Sequence, residues 1–313
     1  GFISGHNELP LSMISHVVKE ISTTSDVEYT YIDHFTDLSS YKVICLIGPT
    51  DYLHPTELAK LEEYLEHGGR MFIALNHAIG RAYLTPRYGF INRVGIEELL
   101  EKYGLKIKYN FVVDQLCNDL KNNAFTPFNL LPGRQKSPYI PLISNFSKHP
   151  ITHSLNTISL QYASSIEEVP NQQGYKFTWL AKTSGRSGTQ DIPVSLDPLR
   201  KWSDSDFNEP YQTVAALLTH SLNNSALVVI SDADFLRNAN PSPIQQNNVH
   251  FAVNSIEWLA DDSGLIQLRN KLMASQHVKP VSRFTRLFIP YFNFFLPLLL
   301  IIGAMFLLQR KSY

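Results

Sequence analysis

The sequence has little cysteine and almost no net charge. Its 313 residues include only two cysteines, Cys45 and Cys117, too few for a disulfide scaffold or a cysteine-ligated metal cluster. Lys and Arg together number 27 against 28 Asp and Glu, so the formal net charge of −1 gives no reason to expect nucleic acid as a partner. Cys45 lies in an apolar run at 43–47, where we expect a buried small hydrophobic residue rather than a redox centre.

The sequence also lacks the motifs of common catalytic and nucleotide-binding sites. The segment Gly48-Pro49-Thr50-Asp51 has neither the GxGxxG spacing nor a Walker lysine. After the predicted strand at 71–75 the chain continues as Asn76-His77-Ala78, without the serine or cysteine of a nucleophile elbow. The 11 histidines include no HExxH pair. These absences argue against an enzyme, and we expect no cofactor and no resident metal.

A long hydrophobic run lies close to the end of the chain. Residues 287–308 contain no charged side chain, and at a rise of ~1.5 Å per residue a helix of this length would span a hydrocarbon core of ~30 Å. Arg283 and Arg286 precede the run, and Arg310 and Lys311 follow it. The sequence therefore predicts one transmembrane helix that tethers the body of the protein to a lipid bilayer.

Two residues inside this run are unusual for a simple anchor. Pro297 is interior and should kink the helix, whereas Asn293 is polar and is expected to face a partner helix. We predict that both help the helix to pack on a membrane partner.

The charge count does not decide the orientation of the body. Four basic residues within 271–286 against two after the run would place the body in the cytoplasm. However, the chain opens at Gly1 without an initiator methionine or a leader, inside a predicted strand, so we expect an upstream segment. An earlier span would usually dominate the topology, and large domains cross membranes largely regardless of such charges.

The body alternates strand-like and helix-like segments. Helices are predicted over 9–21, 56–66, 95–103 and 248–259, and strands over 1–4, 27–32, 43–47, 71–75, 105–113, 158–163, 175–181, 193–196, 213–219 and 226–231. Strands separated by helices of this length predict an α/β fold with a doubly wound, mostly parallel sheet.

The chain can be divided by composition into six segments. These are 1–115, the first half of the α/β domain; 116–157, a Pro- and Asn-rich irregular excursion; 158–262, a β-rich second half; 263–286, a juxtamembrane segment; 287–308, the membrane helix; and 309–313, a basic tail.

Five polar residues follow predicted strands, where ligands of α/β sheets usually bind. His6 and Glu8 follow the first strand, Asp51 follows the strand at 43–47, and Asp232 and Asp234 follow the strand at 226–231. These five are the candidate ligand-binding residues, and no residue is assigned a catalytic role.

Simpler structural roles compete with ligand binding at these positions. Asn7 and Glu8 are typical of a helix start, with Asn7 as the N-cap and Glu8 favoured by the helix dipole. Asp232 and Asp234 could hold a cation or do acid–base work, but they could equally cap the segment that follows. Because no other acidic cluster lies nearby, they provide too few ligands for a hard cation.

Several motifs, in a fixed order, resemble one protein family. They are IGPT (47–50), YLEHGG (64–69), YGL (103–105), VDQ (113–115), HPIT (149–152), ASSI (163–166), ISDADF (230–235) and NSIEWLADDSGLIQLRNK (254–271). Together they resemble the gliding-motility-associated ABC-transporter auxiliary proteins of Bacteroidetes, the GldG family, over nearly the whole chain.

This resemblance implies a fold, a location and partners. The fold would be similar to class I glutamine amidotransferase-like folds without their catalytic cysteine, with Asn76 and His77 near the expected nucleophile position. A second membrane span would precede Gly1, and the body would be periplasmic on the inner membrane. The implied partners are a polytopic GldF-like membrane subunit and, indirectly, a cytoplasmic GldA-like ATPase.

The leading hypothesis is therefore a non-catalytic periplasmic module of an ABC-type complex, which binds a partner protein or an envelope ligand and couples it to the membrane subunit. The link to gliding motility and type 9 secretion is implied by the resemblance alone. Two alternatives remain: a membrane-tethered amidotransferase-like hydrolase, in which the side chains of His6, Glu8 and the aspartates would converge, and a solute-binding protein with a deep pocket.

Overall fold

A computed structural model describes residues 1–32, 35–80, 88–120, 135–197, 200–238 and 242–261. The chain divides into two compact units, Gly1–Asn270 and Lys271–Tyr313, and every described residue belongs to the first. Within these described ranges, no helix is both long and apolar enough to cross a membrane. The predicted span at 287–308, with Asn293 and Pro297, lies outside the described residues.

The described ranges contain four α-helices and eighteen strands. The helices are α1 (Ser15–Ile21), α2 (Pro55–Glu66), α3 (Glu97–Lys102) and α4 (Pro243–Ala260). The strands are β1 (Phe2–Ile3), β2 (Tyr29–Thr30), β3 (Ile44–Ile47), β4 (Arg70–Ala74), β5 (Ala78–Gly80), β6 (Tyr88–Ile91), β7 (Leu105–Ile107), β8 (Asn110–Asp114), β9 (Cys117–Leu120), β10 (Gln135–Ile143), β11 (Asn145–Phe146), β12 (Ile158–Ser159), β13 (Ile166–Glu168), β14 (Tyr175–Lys182), β15 (Ser187–Asp191), β16 (Val194–Ser195), β17 (Thr213–His220) and β18 (Ala226–Ile230).

A parallel sheet forms the centre of the fold. Strands β2, β1, β3, β4 and β18 lie side by side in this order, and each pairs with its neighbour in parallel. The sheet then continues through β17, β14 and β11, which are antiparallel to their neighbours. The predicted α/β class with a mostly parallel sheet is therefore confirmed.

Both faces of the parallel strands are buried. In β3, Cys45 and Ile47 belong to one hydrophobic cluster, whereas Ile44 and Leu46 belong to a second cluster, as the alternation of side chains along a strand requires. Helices α1 and α4 contribute to the first cluster, and α2 and α3 contribute to the second. The sheet thus lies between two helical layers, which explains why its strands are continuous apolar runs.

Cys45 has the environment that the sequence predicts. Its side chain is only 2% exposed. Burial raises the pKa of its thiol to about 12, so it remains a protonated, apolar group at neutral pH.

Smaller sheets form a third cluster beside the main sheet. Strand β8 pairs with β15, β10 pairs with β9 and β12, and β6 pairs with β5 and β16. Their core is aromatic, with Phe111 packed edge-on against Tyr139 and Tyr162 at centroid distances of 5.8 and 5.4 Å.

The first helix is shorter than predicted. A 3₁₀ turn at Leu11–Ile14 precedes α1, so regular helix begins at Ser15 and not at 9. Asn7 is not the N-cap: its φ is 57°, and the residue before the 3₁₀ turn is Pro10. The apolar spacing is correct, but Pro10 and the left-handed Asn7 keep residues 7–10 in a loop.

The segment 116–157 is more regular than predicted. Where it is described, it includes β9, β11 and the nine-residue strand β10, although Pro138 and Pro141 lie in β10. The pairing of β10 with β9 shifts register between Lys136 and Pro141, so the prolines fall where the ladder is already interrupted. The domain boundaries inside the body remain predictions.

Gly68 ends α2 in a conformation that suits only glycine, and it provides a test of this packing. Its φ is +86°, and a Cβ at this position would lie 2.5 Å from the backbone oxygen of Asn223. Gly68→Ala should therefore combine left-handed strain with a forced backbone shift and cost about 3 kcal/mol in the free energy of unfolding, measured with urea. The control is Gly174→Ala, which also has positive φ (+77°) but would meet only the His220 ring, at 3.3 Å. We expect it to cost about 1 kcal/mol; equal losses would mean that the Asn223 contact adds nothing.

Candidate binding site at the carboxyl edge of the sheet

The carboxyl ends of the parallel strands bring distant loops together. Because β1, β3, β4 and β18 run in the same direction, the loops that follow them (4–10, 48–54, 75–77 and 231–238) meet at one edge of the sheet, called here the carboxyl edge. Within the described residues this edge holds all five candidate ligand-binding residues.

His6 is held between two carboxylates. Its side chain is nearly buried, with Nδ1 3.1 Å from Glu8 Oε1 and Nε2 3.0 Å from Glu57 Oε2. The backbone N–H of His6 also donates to Glu8 Oε2 at 2.8 Å. The two contacts use both ring nitrogens, and the donor and acceptor roles at each depend on the tautomer of the ring. His6 therefore bridges β1 to the start of α2.

Glu57 was not among the predicted site residues, although the local sequence contains a signal for it. His54 is the N-cap of α2, its ring accepts from the Thr56 N–H, and its own N–H donates to Glu57 Oε2 at 2.6 Å. This is a capping box, in which the third helical residue reaches back to the cap. The sequence His-Pro-Thr-Glu at 54–57 carries that spacing, but histidine is not a usual cap. The contact with His6, 51 residues earlier, has no local signal.

Backbone hydrogen bonds join the first two loops. The carbonyl oxygen of His6 accepts from the N–H groups of Thr50 and Asp51, both at 3.0 Å. Asn7 Nδ2 donates to Thr50 Oγ1 at 2.6 Å. The Asp51 side chain is exposed, so its backbone is fixed while its carboxylate remains accessible to solvent.

Asp232 is fully buried and anchors two loops. Its Oδ2 accepts from the N–H of Gln161 at 2.6 Å, and its Oδ1 accepts from the N–H of Asp234 at 2.8 Å. Burial raises the pKa of Asp232 well above its ordinary value and the nearby Asp234 adds to this, although hydrogen bonds from Gln161, Asp234 and Phe235 act in the opposite direction. Its carboxyl group therefore has a structural role, because it holds the backbone of two loops together.

Asp234 has a different environment. It is partly exposed and forms an ion pair with Arg237, Nε to Oδ1, at 2.5 Å. Among the described residues, no hydrogen bond or ion pair links His6 or Glu8 to Asp232 or Asp234. The five predicted residues thus share one edge but do not form one hydrogen-bonded group.

Asn76 and His77 occupy the turn after β4. Asn76 Oδ1 accepts from the N–H of Ala233 at 2.7 Å and so ties this turn to the loop after β18. The His77 side chain is buried and stacks on Tyr109 at 4.3 Å. Its Nδ1 lies 3.4 Å from Glu97 Oε1, but neither ring nitrogen has a hydrogen bond of good geometry to a described residue.

The described residues do not provide a metal site. Within these ranges, no group of three or more His, Cys, Asp or Glu side chains is placed to hold a metal ion. The ring of His6 is instead hydrogen-bonded to the carboxylates of Glu8 and Glu57.

The sequence matches a family of transport proteins. The family model ABC_transp_aux, described as an ABC-type uncharacterized transport system, matches residues 1–257. No curated protein matches the chain in sequence.

Two solved structures are similar to this chain. The mmIFT52 N-terminal domain is similar at 15% identity with a TM-score of 0.54, covering 84% of this chain and 97% of that chain. A putative ThuA-like protein from Parabacteroides merdae is similar at 12% identity with a TM-score of 0.43, covering 83% of this chain and 88% of that chain. At these identities the likeness concerns the fold alone.

Removing the His6 side chain should show how much its bridge stabilises the protein. His6→Ala leaves the mostly buried carboxylates of Glu8 and Glu57 without their partner, and we expect a loss of about 3 kcal/mol in the free energy of unfolding. The exposed His16 provides the control, since His16→Ala should change stability by less than about 0.5 kcal/mol. In a double-mutant cycle with Glu57→Gln, a coupling energy near zero would contradict the bridge.

Asp232 should leave a signature in the pH dependence of stability. An aspartate whose pKa is raised by folding ionises first in the unfolded state, so its contribution is full below the unfolded pKa of about 3.9 and is lost as pH rises through the folded pKa. The stability advantage of the native chain over Asp232→Asn should therefore be larger at about pH 4 than at about pH 7. An advantage that grows with pH in urea unfolding would mean that the backbone hydrogen bonds outweigh burial.

Proposed function

The chain belongs to the ABC_transp_aux family and is an auxiliary component of an ABC-type transport system, and from this premise we propose that its α/β body is a non-catalytic binding module. The body would bind a partner protein or an envelope ligand at the carboxyl edge and couple that binding to the membrane subunit of the transporter.

The geometry of the carboxyl edge supports binding over catalysis. A hydrolase built on His6, Glu8 and the aspartates requires these side chains to converge, whereas His6 pairs with Glu8 and Glu57 while Asp232 accepts backbone hydrogen bonds. Asn76, near the expected nucleophile position, also has a structural role through Ala233. The best-placed acid–base groups are therefore already engaged in holding loops together.

The finer part of the proposal concerns location and partners. The motifs that resemble those of the GldG family support a body on the periplasmic side of the inner membrane, a polytopic GldF-like subunit as the direct partner and a GldA-like ATPase as an indirect one. They also support a role in gliding motility or type 9 secretion. The uncharged run at 287–308 would provide the attachment to the membrane subunit.

Purification from the native membrane tests this proposal. We expect the tagged full-length protein, extracted in mild detergent, to recover a multi-span ABC-type membrane subunit in near-stoichiometric amount, as identified by mass spectrometry. Recovery of the protein alone would contradict the proposal and favour a tethered enzyme or a solute-binding protein.

Asn293 allows a sharper test of the attachment. A polar amide within an apolar helix is worth about 1 kcal/mol when it hydrogen-bonds across a helix interface, so Asn293→Leu should lower recovery of the membrane subunit several-fold. The control is Phe295→Leu, an apolar exchange in the same run, which should leave recovery unchanged. Unchanged recovery with Asn293→Leu would remove the role of Asn293 but not the complex itself.

A further inference from the structure

We infer that the carboxyl edge docks a basic polypeptide segment, whose lysine or arginine pairs with Asp51 while apolar side chains beside it cover Met13, Tyr29, Tyr31 and Tyr52. These four residues are called here the aromatic rim. The inference rests on the proposed function and names the chemistry of its partner.

Exposed apolar side chains lie beside this edge. Eleven large hydrophobic side chains are exposed among the described residues, and the four of the aromatic rim are 46%, 51%, 57% and 58% exposed in chain order. Exposed tyrosines are typical of protein interfaces, because each offers a large apolar ring with a polar tip and loses little side-chain entropy when it is covered.

Contacts place the members of the rim around the same loops. The Tyr29 hydroxyl accepts from the N–H of Leu11, and the Met13 carbonyl accepts from the N–H of Asn238, in the loop after β18. A Cβ on Gly5 would lie 3.7 Å from Cδ1 of Tyr31.

Tyr52 belongs to the loop that follows β3. It directly follows Asp51, whose backbone N–H is bonded to the His6 carbonyl oxygen. Its ring covers Gly95, where a Cβ would lie 2.9 Å from Cζ. The aromatic rim is thus a surface supported by hydrogen-bonded loops.

The charges of the edge identify the kind of partner. The edge is extended here by the start of α2 and by 92–97, where Asn92 donates to the carbonyl oxygens of Pro49 and Asn76. Six carboxyl side chains lie in the segments 4–10, 48–57, 76–77, 92–97 and 231–238, namely Glu8, Asp51, Glu57, Glu97, Asp232 and Asp234. The same segments contain two guanidinium groups, Arg93 and Arg237. The acidic excess persists even if His6 is charged and Asp232 is neutral. Such an edge attracts cations and repels anionic lipid headgroups, phosphates and acidic peptides.

Asp51 is the residue best placed to pair with a cation. Its side chain is exposed, its backbone is fixed by His6, and no described residue forms an ion pair with it. Glu8 and Glu57 are occupied by His6, and Asp234 by Arg237. A lysine or arginine above Asp51 would also lie beside the Tyr52 ring, where a cation–π contact adds to the pairing. Neutral glycans could stack on the tyrosine rings, but they carry no positive charge to pair with the carboxylates of the edge.

Photo-crosslinking in the native membrane tests the inference. Tyr31, Tyr52 and, as a control, Leu222 are each replaced in the full-length chain by a photoreactive benzoylphenylalanine, and the adducts are mapped by mass spectrometry. Leu222 is 89% exposed and lies in the turn between β17 and β18, at the amino end of β18 and so opposite the carboxyl edge. We expect adducts at positions 31 and 52, but not at 222, with a polypeptide segment of net positive charge.

Charge variants provide the second readout. Asp51→Lys should lower the yield of the adduct about tenfold, the factor that corresponds to about 1.4 kcal/mol, whereas Asp51→Glu should preserve it. The control is Glu168→Lys, a charge reversal on the exposed end of β13, which should leave the yield unchanged.

The outcomes separate this inference from the proposed function. No adduct, an adduct with a lipid, a glycan or an acidic segment, or a yield insensitive to Asp51→Lys would overturn the inference. The same preparations report recovery of the membrane subunit. If the subunit is recovered and the adduct fails, the proposed function stands without this docking site; loss of the subunit from the native chain would overturn the proposed function itself.

Discussion

The parallel pairing of β4 with β18 is the contact on which the rest of the fold depends. It joins strands far apart in the chain and brings Asn76 within hydrogen-bonding distance of Ala233, 157 residues later. Because closing so long a loop costs conformational entropy, the pairing must be supported by burial on both faces of the sheet. The apolar residues of β4 and β18 provide that burial, and both strands contribute to both large clusters. The approach of the loops after β4 and β18 at the carboxyl edge follows from this pairing.

At the carboxyl edge, polar groups contribute to structure and leave a smaller set accessible. His6 joins the first loop to α2, Asp232 holds the N–H groups of two loops, and Asn76 connects β4 to β18. A buried polar group is costly unless its hydrogen bonds are satisfied, so such networks rigidify the segments that they join. A rigid edge suits an auxiliary subunit, since a partner that binds there loses little free energy to ordering the surface.

Local chemistry in the sequence was sufficient to predict some elements but not others. The apolar runs of β3 and β18 and the Pro55 and Gly68 boundaries of α2 were predictable, because their signals lie within a few residues. Strand β10 was not, since its two prolines suggest irregular chain, whereas its pairing with β9 and β12 is a tertiary effect. In the site, His6 and Glu8 were identified from their position after β1. Glu57 was not, because no spacing rule connects it to His6 in a different element.

The two native thiols make this chain well suited to selective chemical labelling. Cys45 is buried and its thiol has a pKa of about 12, and burial also raises the pKa of Cys117. Maleimides and similar reagents attack the thiolate, so neither cysteine competes strongly with one placed on the surface. A fluorophore or spin label could therefore be attached at a chosen exposed position of the otherwise unaltered protein, and distances to other subunits of the transporter could be measured without first removing the native cysteines.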